Sequence, residues 1–95
     1  MFIIELTYTV PLSQVDAYLE SHIEFLNKYY EAGNFIASGR KVPRDGGIIL
    51  AVASNKKEIE KIIAQDPFHT NNIAQYKITE FAATKKAANI ESFIA

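Results

Sequence analysis

The 95-residue sequence contains no cysteine. That excludes a disulfide framework and any thiolate-ligated metal. An excess of one charge is missing too. Ten basic residues balance eleven acidic ones, and the formal charge is −1. Such a surface has no general attraction for nucleic acid or for anionic lipid. No apolar run is long enough to span a membrane. The opening MFIIELTYTV lacks a basic segment and is broken by Glu5, so it does not read as a signal peptide. A cytoplasmic protein with neither membrane nor nucleic-acid partners is expected. Histidine is scarce: His22 and His69 are the only two. His22, Asp66 and His69 are conceivable metal ligands, but no spacing marks them as a set, so no metal site is expected. The chain has no linker, low-complexity tract or tandem repeat.

Apolar residues, in contrast, are plentiful. They make up 48% of a chain that lies near the small end of independently stable size. A domain this small buries only part of that surface alone, which makes self-association the reasonable expectation.

Residues 12–30 organise the chain. They predict one long amphipathic helix, with Leu12, Val15, Leu19, Ile23, Leu26 and Tyr30 on a single apolar stripe. Asp16, Glu20, Glu24, Asn27 and Glu31 lie on the far side. An aromatic line, Tyr18, His22, Phe25 and Tyr29, runs beside the apolar stripe. His22 is therefore expected at the edge of the core, half sheltered among rings. Ser13 is a candidate N-cap and Gly33 a candidate C-cap.

Before this helix, Phe2, Ile4, Leu6, Tyr8 and Val10 alternate with more polar residues, as in a strand with one buried face. After it, residues 35–41 predict a second strand, with Phe35, Ala37 and Gly39 on one face and Ile36, Ser38 and Arg40 on the other. A turn at 43–47 leads into IILAVA, residues 48–53. That unbroken run suggests a strand buried on both faces and hairpinned to its predecessor. Asn55 and Glu58 have capping-box spacing at the head of a second helix, whose apolar side is Ile59, Ile62 and Ile63. Pro67 prevents simple continuation. Residues 68–72 read as a polar connection and residues 73–83 as a last strand. The tail, residues 84–95, ends in Ile90, Phe93 and Ile94, a spacing suited to a short helix or a flap on the body or on another subunit.

The order β-α-β-β-α-β predicts an α+β fold: a ferredoxin-like plait, a four-stranded antiparallel sheet with two helices on one face. Its other face would carry Ile3 and alternate residues of IILAVA. Two such faces packed together would form a homodimer with a barrel-like interior.

Two readings stand for Asp66. It can serve the turn before Pro67 by accepting nearby backbone amides. Alternatively, it can orient His22, because a neighbouring carboxylate favours the charged imidazole and fixes its tautomer. Such a pair suits general acid–base work near neutral pH. Ser38-Gly39-Arg40 likewise either offers a hydroxyl and a cation to an anionic substrate or blunts a sheet edge with charge. RNA recognition on the open sheet would need aromatic and basic residues, and IILAVA has neither.

Taken together, the element order, the histidine midway along helix one, the A-S-G-R segment at 37–40 and the D-P-F segment at 66–68 resemble the YCII-related (YciI-like) family. The resemblance covers residues 1–83. It implies a dimeric α+β barrel with a site built on His22 and Asp66. Ser38 and Arg40 become pocket candidates, and Phe68 belongs to the motif with a pocket or packing role. Through one relative it also implies dehydrochlorination of a chlorinated hydroxyquinol. The expected function is then a small-molecule enzyme whose His22–Asp66 dyad performs isomerisation or elimination on a small cyclic or phenolic substrate, with no cofactor. The alternatives are a non-catalytic small-molecule-binding or regulatory dimer, and a haem- or oxygen-using monooxygenase of the related dimeric-barrel type. The last lacks any haem-ligating pattern beyond the two histidines.

Overall fold

The computed structural model describes residues 1–90. Four strands form one antiparallel sheet: β1 (Phe2–Tyr8), β2 (Phe35–Arg40), β3 (Gly46–Ala51) and β4 (Ala74–Glu80). Their spatial order is β2-β3-β1-β4. The helices are α1 (Leu12–Ala17), α2 (Leu19–Glu31), α3 (Lys56–Ile63) and the single-turn α4 (Pro67–Thr70). This is the expected α+β plait. The two outer strands are β2 and β4, and the first strand of each half, β1 and β3, forms the central pair.

One face of the sheet meets the helices. Phe2, Ile4 and Leu6 of β1 and Ile49 and Ala51 of β3 are buried there, with Ile59, Ile62 and Ile63 of α3. The alternation read from the sequence therefore points the right residues inward on β1 and α3. On α3, Asn55 Oδ1 accepts the Glu58 N–H, and Glu58 Oε2 accepts the Ser54 N–H. The reciprocal arm thus reaches one residue further back than in the usual capping box.

Helix one departs from its expected form. It is interrupted at Tyr18, whose φ of −110° and ψ of 4° leave the helical region. It begins at Leu12 with Pro11 as the cap residue, and no side chain caps it. The inward face takes most of the aromatic line, His22, Phe25 and Tyr29, together with Val15 from the apolar stripe, while Tyr18 is exposed. Ile23 is 45% exposed, and Leu12 and Tyr30 are also exposed. Phe25 and Tyr29 pack on Phe35 at ring-centroid distances of 5.7 and 5.6 Å, which sets the roll of the helix. Gly33 closes α2 at φ +85°, a left-handed conformation that favours glycine.

A bulge in β2 changes the faces of that strand. Phe35 pairs with Ala51, Ala37 with Leu50 and Ser38 with Ile49, so Ile36 is the extra residue. Strict alternation from a buried Phe35 would put Ala37 and Gly39 inward. The bulge instead turns Ser38 and Arg40 to the helix side.

The expected double burial of IILAVA is not found in the single chain. Ile49 and Ala51 are buried, but Ile48 is 38% exposed, beside Ile3 at 37%. Both lie on the open face, with Leu50 and the Lys41–Glu5 ion pair at 3.0 Å. Residues 81–87 have no regular structure. Phe93 and Ile94, on which the expected tail helix depends, lie outside the described residues.

Candidate active site

Asp66 follows α3 with an extended backbone, φ −70° and ψ 125°, as the residue before a proline must have. Pro67 does more than stop a helix. It occupies the first position of α4, where a missing N–H costs nothing. The expected polar connection is thus a helical turn capped by Asp66. Oδ1 of Asp66 accepts the Phe68 N–H at 3.0 Å. The same oxygen lies 2.7 Å from His22 Nδ1. Both readings of Asp66, turn residue and histidine partner, therefore describe one atom.

The second carboxylate oxygen is also engaged. Tyr76 Oη donates to Oδ2 at 2.5 Å. Asp66 is 0% exposed. A carboxylate so placed needs hydrogen-bond donors in place of water, and here it has three. Since all three partners converge on an acceptor, Nδ1 of His22 carries the proton in the neutral ring, which leaves the lone pair on Nε2. No buried polar side-chain atom lacks a partner among the described residues.

His22 itself is 9% exposed. Its ring stacks on Phe68 at 3.9 Å between centroids and 2° between planes. Phe68 is buried and borders the cavity together with His22. Above the pair lies a cavity of about 150 Å³. Its walls are Leu19, Ile23 and Leu26 of α2, Tyr8 of β1, and Ser38 and Arg40 of β2. Four of the five residues singled out from the sequence, His22, Ser38, Arg40 and Phe68, thus border one cavity, and the fifth, Asp66, lies beneath it holding His22. Ser38 Oγ is 2.6 Å from Tyr30 Oη at the rim. His69 stands apart and packs edge-on against Tyr76 at 5.5 Å. Among the described residues no three histidine or carboxylate side chains gather as a metal would require.

Sequence reasoning missed Tyr8 and Tyr76. Tyr76 shares the helix-facing side of β4 with Ala74 and Ile78, and a buried phenol needs a hydrogen-bond partner. That was the available signal. Burial, and after it the charge of Asp66 and the hydrogen bond to it, push the Tyr76 phenol well above its ordinary value near 10. The folded-state value is raised, so the contribution to stability is whole below about pH 10 and is lost as pH rises beyond it. Alkaline titration of tyrosinate absorbance should leave Tyr76 silent until the fold opens. Tyr76→Phe should remove that silent phenol and flatten the loss of stability above pH 10. An unchanged alkaline profile in the variant would contradict this.

A family model described as the YCII-related domain matches residues 1–82. No curated protein matches the chain significantly. Among solved structures, 5-chloro-2-hydroxyhydroquinone dehydrochlorinase of Burkholderia phenoliruptrix, in complex with 2,5-dihydroxybenzoquinone, superposes with a TM-score of 0.72. The match covers 86% of this chain and 94% of that chain at 13% identity. At that identity the likeness is one of fold. No helix among the described residues is long and apolar enough to cross a membrane.

Proposed function

The chain belongs to the YCII-related domain family, and from that premise we propose that it is a small-molecule enzyme in which His22, oriented by Asp66, moves a proton on a small cyclic or phenolic substrate. The observation that carries the reading is the 2.7 Å contact from His22 Nδ1 to a fully buried carboxylate, beside a cavity. That contact leaves Nε2 as the basic atom. A volume on the order of 150 Å³ suits one six-membered ring. Apolar walls would hold the ring, and Arg40 would meet an oxygen that becomes anionic.

The chemistry balances with no other reactant. Nε2 takes the proton of an acidic hydroxyl, and that oxygen becomes a carbonyl as its electron pair enters the ring. The imidazolium then protonates a ring carbon, which completes an isomerisation. Where that carbon bears a halide, loss of a second hydroxyl proton expels the halide, and the sum is elimination of hydrogen halide.

Incubation with a panel of chlorinated and unchlorinated hydroxyhydroquinones tests this. Chloride release or solvent-deuterium uptake at a ring carbon, absent in His22→Asn, is the expected result. Compounds that bind and are recovered unchanged and undeuterated would instead support the binding-module reading.

The open face favours a homodimer as the working form. Ile3 and Ile48 are part-exposed on the open face of the sheet, and a partner sheet would bury them. Sedimentation should give twice the 10.7 kDa chain mass, and Ile3→Glu should return the single-chain value. A wild-type monomer at assay concentration would overturn the dimer.

A further inference from the structure

The family assignment and the dyad leave Tyr76 without a role. Its hydroxyl donates to Oδ2, the carboxylate oxygen that His22 does not use. Three facts locate it. It faces the helices from β4, in register with Leu6 of β1. Its target has no solvent exposure. The two remaining donors, the Phe68 N–H and the His22 ring, both use Oδ1. Oδ2 therefore depends on Tyr76 alone among the described residues.

We propose that Tyr76 is a positioning residue of this site: by holding Oδ2 it sets how much of the Asp66 charge is turned toward His22 Nδ1–H. The inference rests on the proton-transfer reading for its catalytic meaning, but its physical content does not. A carboxylate distributes one negative charge over two oxygens. A donor on Oδ2 draws charge to that side and weakens the acceptor at Oδ1, and a stronger donor does so more. In water such an effect would be screened. At a site with no solvent exposure it persists.

The test is a graded series in substrate-free protein, read from the His22 Nδ1–H proton resonance. Tyr76→Phe removes the donor while keeping the ring, and should move the resonance downfield as the bond to Oδ1 strengthens. Replacement of all five tyrosines by 3-fluorotyrosine makes the phenol a stronger donor, and should move it upfield. Only Tyr76 among the five donates a hydrogen bond to Asp66, and site-specific fluorination of Tyr76 alone removes any contribution from Tyr8, which packs on Phe68. It also retains every side chain's shape, which keeps the test available if Tyr76→Phe does not fold. Opposite shifts are the expected result. A purely structural role would give no fluorotyrosine shift, or shifts of the same sign, and either outcome overturns the proposal. The readout is also independent of turnover. Activity surviving in His22→Asn would end the His22 proton-transfer mechanism and leave the series interpretable, whereas a flat series beside an inactive His22→Asn would end the Tyr76 inference alone.

Discussion

His22→Ala is expected to abolish measurable turnover. A positioned general base contributes roughly 10²- to 10⁴-fold to rate, and His22 is the only imidazole at the cavity among the described residues. Alanine also removes the ring stacked on Phe68 and one of the three donors to Asp66. Loss of a hydrogen-bond partner from a buried group costs roughly 1–3 kcal/mol, so stability should fall along with activity. His22→Asn separates the two effects. Its amide nitrogen falls near the place of Nδ1 and can still donate to Oδ1, but nothing replaces Nε2. It should be as inactive as alanine and measurably more stable, by kcat on the panel substrate and by chemical denaturation. Turnover at the wild-type rate in either variant would sink the mechanism.

The sequence pointed to these residues unevenly, for reasons that lie in the physics of each element. Strand β1 and helix α3 were legible because one face is core and the other is water, so periodicity reports burial directly. Helix α2 misled in an instructive way. The stripe with the strongest apolar character, Leu19, Ile23 and Leu26, lines the cavity, while the aromatic line with His22 packs in the core. A cavity wall is as apolar as a core, and hydropathy cannot separate them. The bulge at Ile36 was invisible for a different reason. It is set by pairing with β3 and has no glycine to mark it, yet it decides that Ser38 and Arg40 face the cavity. Asp66-Pro67 was legible as a break but not as a start, because a proline ends one helix and opens another by the same loss of an N–H.

Asp66 carries the other large expected effect, and two substitutions divide its roles. Asp66→Ala leaves the Phe68 N–H, the Tyr76 hydroxyl and the His22 ring without their common acceptor at a site closed to water. At about 1–3 kcal/mol for each stranded group, the total approaches the entire stability of a small domain, roughly 5–15 kcal/mol. The variant should be largely unfolded or aggregated. Asp66→Asn is different. The Phe68 N–H and His22 both require an acceptor at Oδ1, so the asparagine carbonyl must take that place. Its amide nitrogen then points to Tyr76, whose hydroxyl can accept as well as donate. The two donors at Oδ1 stay satisfied and the histidine tautomer is kept, while the Tyr76 O–H gives up its acceptor. What disappears is the charge facing the imidazolium that forms during proton transfer. A hydrogen bond to a charged group is worth about 1.5–3 kcal/mol, against about 1 for a neutral one, so the rate should fall roughly twofold to thirtyfold with the fold retained. Denaturation curves and kcat for the two variants decide the matter. If Asp66→Asn unfolds like Asp66→Ala, the negative charge itself holds the turn together. If Asp66→Asn is folded and fully active, Asp66 is a helix cap that happens to touch a histidine.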